Sequence, residues 1–145
     1  MTNEINKDKF PILIVDDEYE IIEALKKYLL DFTVDFATSA DTALQKIKDG
    51  SYKIVLTDIV MPGRDGIELL REIKSINPGI QVIMMTGQTT LMRTSESLQA
   101  GATTYLLKPF DDITLVDRAI EKAINNILEW KKAIQLSAQV QKNKS

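Results

Sequence analysis

The chain contains neither cysteine nor histidine in its 145 residues. Without cysteine there is no disulfide, no thiolate nucleophile and no sulfur-based metal site. Without histidine, the usual general base and the usual transition-metal ligand are both missing. Nucleophilic, acid–base or metal chemistry therefore falls to carboxylates, hydroxyls, amines and backbone. Basic charge is in short supply too. Lys and Arg number 18 against 21 Asp and Glu, a formal net charge of −3, which argues against a general binder of nucleic acid or of a membrane surface. No apolar run approaches the ~18 residues that a membrane span needs. The polar stretch Met1–Lys9 lacks the apolar core of a signal peptide, so residues 1–10 read as a short disordered leader and the protein as cytoplasmic. What remains is ordinary for one globular domain, with 44% hydrophobic and 27% charged residues.

Within that composition, short β-branched runs alternate with longer helical patterns. The runs are Ile12–Val15, Val34–Ala37, Ile54–Thr57, Val82–Met85 and Thr104–Leu107. Three are apolar nearly throughout, as expected of strands covered on both faces. Between them, Ile21, Leu25, Tyr28 and Leu29 share a helical face. So do Ala43, Leu44 and Ile47, and then Leu69, Leu70, Ile73 and Ile76. Ser39 suits an N-cap and Gly50 a stop for the second helix, Asn77-Pro78-Gly79 ends the third, and Gly101 ends a fourth running from about residue 90. The stripe of that fourth helix, Met92, Ser95 and Leu98, is weak. Strict alternation of strand and helix implies right-handed crossovers and a parallel sheet wrapped by helices, an α/β doubly wound fold.

Ligands of such sheets bind at the carboxyl ends of the strands. Asp16, Asp17 and Glu18 follow the first run, and Asp58 ends the third. Thr86 and Gly87 follow the fourth, and Lys108 and Pro109 the fifth. Taken singly, each has a bland reading: a turn former, a helix cap, a β-former or a solvated charge. Together they converge on one rim, where several carboxylates repel one another unless cations sit among them. Lys108 is one cation. The all-oxygen donor set suits Mg²⁺, with Mn²⁺ as the alternative, better than zinc or copper.

Asp16-Asp17, Asp58, Met61-Pro-Gly-Arg-Asp-Gly66, Thr86-Gly87 and Lys108-Pro-Phe110 resemble the receiver domain of two-component response regulators, over about residues 11–125. The resemblance implies a flavodoxin-like sheet of five strands in the order 2-1-3-4-5 with five helices, and a protein that is no enzyme beyond its own phosphorylation and dephosphorylation. It implies that Asp58 accepts a phosphoryl group from a sensor histidine kinase or phosphotransfer protein. Asp16, Asp17, Asp58 and the Val60 carbonyl would hold the metal, while Lys108 and Thr86 would contact the phosphoryl group. It implies a cis Lys108-Pro109 bond, and a switch in which Thr86 moves inward and Tyr105 turns, reshaping the face made by the fourth helix, fifth strand and fifth helix for an output domain or protein. The resemblance also implies that Val60 and Gln88, two residues past Asp58 and Thr86, stand where members of that family tune phosphoryl lifetime.

The last helix begins near Asp112 and continues to about Gln141. Val116, Ile120, Ala123, Ile127, Trp130, Ile134 and Ser137 keep a four–three spacing along it. The later members lie past the domain end, with no sheet expected beneath them, so residues 126–145 read as a helical extension or linker. That extension either folds back or pairs with another module or a second copy in a homodimer. Two other classes remain open: a haloacid-dehalogenase-like phosphatase, which carries its Asp nucleophile after the first strand, and a degenerate receiver used only for docking.

Overall fold

The computed structural model describes residues 5–87, 91–110 and 112–143, with the backbone alone for Leu91 and Met92. Its strands are β1 (Ile12–Val15), β2 (Val34–Ala37), β3 (Ile54–Asp58), β4 (Val60–Met61), β5 (Arg64–Asp65), β6 (Gln81–Thr86) and β7 (Thr104–Leu107). Its helices are α1 (Tyr19–Tyr28), α2 (Ala40–Asp49), α3 (Gly66–Ile76), α4 (Leu91–Gln99) and α5 (Ile113–Asn143). A five-stranded sheet runs β2-β1-β3-β6-β7, parallel throughout. The expected order 2-1-3-4-5 is thus found, with one addition. The two-residue strands β4 and β5 form a small antiparallel hairpin directly after β3. Gly63 turns that hairpin at φ +78°, a conformation that costs a residue without Cβ nothing.

All residues of β1 and β3 are buried, which explains why these runs carry no polar alternation. Alternate residues feed two cores. Leu13, Val15, Val55, Val82 and Met84 pack against α2 and α3; Ile12, Ile14, Leu56, Ile83 and Met85 pack against α1 and α5. Ser39 caps α2 by accepting from the Thr42 N–H at 3.2 Å, and Gly50 closes it by donating to the Lys46 carbonyl at 2.8 Å. Asn77 is the C-cap of α3, and Gly101, after α4, sits at φ +104°.

Several sequence expectations shift. Ile22, rather than Ile21, is the fully buried partner of Leu25 on α1, because the helix starts at Tyr19 and turns that face to the sheet. Ile76, at the end of α3, is exposed. On α4, Ser95 and Leu98 face outward and Ser97 is the buried residue. Ser97 tolerates burial because its hydroxyl donates to the Arg93 carbonyl at 2.9 Å. The side chain of Met92, the start expected near residue 90 and Gln88 lie outside the described residues. The disordered leader expected over residues 1–10 does not extend to its end. Lys7–Lys9 form a 3₁₀ turn capped by Asn6, and Phe10 is buried in the α1/α5 core. Helix α5 is as long as expected, but it does not leave the domain at residue 125. Ile127 packs on the core, and the Trp130 ring lies against Gly79, where an added Cβ would collide with it.

Candidate functional site

Parallel pairing levels the strand ends, and the site is built on that rim. Val15 pairs with Thr57, Asp58 with Met85 and Thr86 with Leu107, so the residues after β1 and at the ends of β3, β6 and β7 reach one edge of the sheet. Asp16 is fully buried there, Asp58 and Thr86 nearly so, while Asp17 and Glu18 are exposed.

Lys108 is the centre of the arrangement. Its Nζ lies 2.7 Å from Asp16 Oδ2 and donates to Asp58 Oδ2 at 3.0 Å, from a side chain that is itself largely covered. The backbone helps: the Lys108 N–H donates to the Thr86 carbonyl at 2.8 Å, tying the end of β7 to the end of β6. The Lys108-Pro109 bond is cis, as the resemblance implies. Tyr28 reaches over from α1 and donates its hydroxyl to the Phe110 carbonyl at 3.0 Å, holding the following turn.

The carboxylates are anchored from the other side by backbone. Asp16 Oδ1 accepts from the Glu18 N–H at 2.9 Å, and Asp58 Oδ1 accepts from the Val60 N–H at 3.1 Å. Asp16 Oδ2 has no well-directed hydrogen bond, so its proximity to Lys108 is an ion-pair contact. Burial pushes the Asp16 carboxyl above its usual value, and Lys108 only partly offsets this. For Lys108, burial works the other way, but its two carboxylate partners outweigh it and hold the ammonium above its usual value.

One ammonium thus serves a rim that holds Asp16, Asp17, Glu18 and Asp58. Oxygens of Asp16, Asp17 and Glu18 all lie within 4.8 Å of one another, an oxygen-only set suited to a hard divalent ion. Glu18, which follows the same run as Asp16 and Asp17 but is not among the residues expected to hold the metal, belongs to this group. Val60 leaves its side chain 71% exposed, and its N–H is already engaged with Asp58. Gly87 has open space around it, the nearest atom to an added Cβ being Lys108 Cβ at 4.0 Å. Tyr105 stands on the edge strand β7 and is 42% exposed.

A second charged group escaped the sequence reading. Asp65 caps α3 by accepting from the Ile67 N–H at 2.9 Å, and the same Oδ1 accepts from Arg93 of α4 at 2.6 Å. Burial opposes ionisation of Asp65, but Arg93 and the Ile67 N–H hold its carboxyl below the usual value. Arg64, its neighbour on β5, pairs with Asp41 and Glu72. The hairpin that follows Asp58 is therefore strapped to α2, α3 and α4. Spacing alone carries no signal for the Arg64–Asp41 and Asp65–Arg93 pairs, whose members lie 23 and 28 residues apart.

Comparison with known proteins agrees with the geometry. The family model described as "Response regulator receiver domain" matches residues 12–121. The transcriptional regulatory protein ZraR of Escherichia coli K12 is 36% identical over 119 residues, covering 81% of this chain and 27% of that protein. NtrC of Azospirillum brasilense is 36% identical over 117 residues, covering 79% and 24%. The chain thus spans about a quarter of the length of these relatives. Among solved structures, a CheY-like receiver domain protein from Methanospirillum hungatei JF-1 superposes with a TM-score of 0.76 at 34% identity, covering 83% of this chain and 98% of its own. One from Clostridium thermocellum gives 0.74 at 33% identity, covering 86% and 98%. With fold, rim and family model in agreement, this chain belongs to the receiver-domain family of two-component response regulators.

Proposed function

We propose that the chain is a phosphoacceptor switch in which Asp58 is the nucleophile. The observation that carries this is the placement of Lys108 Nζ between Asp16 and Asp58, with the Lys108 backbone bonded to Thr86 at the neighbouring strand end. A carboxylate oxygen of Asp58 would attack phosphorus as the bond from phosphorus to the donor's nitrogen or oxygen breaks. The product is an aspartyl phosphate, and the leaving group takes up a proton. These residues contain no histidine, so a phosphohistidine donor lies outside them, on a sensor kinase or phosphotransfer protein in this reading.

The residues present fit a divalent ion. Among the described residues a fully buried Asp16 oxygen has only Lys108 to balance it, and every candidate donor is oxygen. Asp16, Asp17 and Asp58 with the Val60 carbonyl would hold Mg²⁺ or Mn²⁺, and Glu18 is within reach of the same group. When bound, the ion neutralises charge on the transferring phosphoryl oxygens, where most of the barrier to such transfer lies. Lys108 would release Asp58 and pair with the phosphoryl group as a point charge. Thr86 would turn its hydroxyl to a phosphoryl oxygen, drawing the end of β6 inward and letting Tyr105 move off the edge of β7. Asp65, joined to Arg93, gives the loop after Asp58 a direct mechanical link to α4. The reshaped α4–β7–α5 face would then be read by an output domain or protein in the cytoplasm. A ligand moves such an equilibrium only by its differential affinity for the two states.

Intact-mass measurement after incubation with a small phosphodonor and Mg²⁺ tests the assignment. The wild type should gain about 80 Da, one phosphoryl group, and Asp58→Asn should gain nothing. Undiminished labelling of that variant would remove Asp58 from its role.

A further inference from the structure

At the opposite end of the sheet, away from the acidic rim, α5 does not close flat against the domain. It bridges a cavity of about 310 Å³, open on one side. That is the space of roughly ten water molecules at the ~30 Å³ each fills in the liquid, and it lies at the small end of the range for ligand pockets. The floor is apolar and fixed, since Phe10 and Ile80 belong to the two buried cores. The outer wall is α5, which contributes Ile127, Trp130 and Ile134. Trp130 and Ile134 remain half exposed along this wall.

The polar part of the lining has one sign. Lys9, Lys53 and Lys131 border the cavity from three separate segments, and among the described residues no carboxylate does. None of these three ammonium groups has an ion pair or hydrogen bond among the described residues. Elsewhere some lysine and arginine side chains are ion-paired, as in Lys7–Asp31, Lys46–Asp35 and Arg93–Asp65, so the lack of a partner matters here for where the three lysines sit. Three lysines converge on one apolar cleft, a local positive charge on a chain of net charge −3.

We propose that this cavity binds a small amphipathic organic anion, an aryl or alkyl carboxylate. Its apolar body would lie between Trp130 and the Ile80–Phe10 floor, and its carboxylate would face Lys9, Lys53 and Lys131. The size argues for a small molecule, and the charge argues for an anion rather than a neutral apolar compound. Such a ligand touches both the sheet end and α5, so it fastens the segment that leads out of the domain. The inference stands apart from the chemistry at Asp58.

Trp130 is the only tryptophan in the chain, so its emission reports this cavity directly. The full chain is titrated with 4-phenylbutyrate and, in parallel, with its neutral analogue 4-phenylbutyramide at fixed ionic strength. The carboxylate should change Trp130 emission saturably, with an affinity at least tenfold above that of the amide. Lys53→Gln and Lys131→Gln should each weaken it a few-fold, in keeping with exposed charges, with the far-ultraviolet circular dichroism unchanged. A response that never saturates, equal affinity for the amide, or undiminished binding by the double lysine variant would overturn the proposal. So would a shift of Trp130 emission on dilution alone, accompanied by a dimer-to-monomer change in sedimentation, because a second copy would then fill the groove.

Discussion

Replacing Lys108 by methionine keeps the stem and removes the charge, and the structure sets the size and the pH dependence of the result. Asp16 is fully buried, and among the described residues Lys108 is the one cation paired with its Oδ2. In Lys108→Met that carboxylate either stays ionised and unpaired, at about 3–5 kcal/mol, or takes up a proton. Holding a carboxyl of ordinary pKa 3.8 neutral costs about 1.4 kcal/mol per pH unit above it. That is about 4 kcal/mol at pH 7 and about 1.6 kcal/mol at pH 5. The two routes agree near 4 kcal/mol at neutral pH, a large share of a domain's total stability. The sign follows from linkage. A carboxyl whose folded pKa is raised binds more protons folded than unfolded, so the variant gains stability as pH falls from 7 towards 3.8. Urea unfolding followed by far-ultraviolet circular dichroism at both pH values measures this directly. Loss of packing around the stem would be equal at the two, so the difference of about 2–3 kcal/mol is the diagnostic quantity. Adding Asp16→Asn should restore more than half of the pH 7 loss. The reasoning fails if the cost of Lys108→Met is the same at pH 5 and pH 7, or if the double variant is no more stable than the single one.

Millimolar Mg²⁺ should raise the melting temperature of the wild type by linkage and raise that of Asp17→Ala much less; equal rises would place the ion elsewhere. Gly66→Ala should cost about 1–3 kcal/mol in chemical unfolding, because a Cβ there collides with the backbone of Asp58 and Ile59, outweighing alanine's better helix propensity. Tyr52 donates its hydroxyl to Asp35 at 2.6 Å, and burial together with that carboxylate pushes its pKa up to about 12. Tyr52→Phe should therefore remove the tyrosinate absorbance that appears near pH 12, and the stability this hydroxyl supplies in the wild type should fade as pH rises from 10 towards 12.

Much of this was legible from the chain alone. Five β-branched runs separated by helical patterns specify a parallel α/β sheet, because runs without polar alternation must be covered on both faces. The polar residue at the end of every run but the second then identifies the rim, since strand ends share one edge in a parallel sheet. Asp16, Asp17, Asp58, Thr86 and Lys108 were readable for that reason. Caps such as Ser39 and Gly50 were readable because their chemistry is local.

Other features depend on contacts between segments far apart in sequence, and these needed the tertiary structure. The Asp65–Arg93 strap is one, since only the fold brings the two residues together. The burial of Ser97 in place of Leu98 is another, because the rotation of α4 is decided by what it packs on rather than by its own weak stripe. The reach of α5 past residue 125 is the clearest case. Its spacing of apolar residues continues unbroken, and a helix with such a face is equally suited to a sheet end or to another helix. Folding placed a residue without a side chain, Gly79, opposite Trp130, and so left room for the ring to lie on the domain.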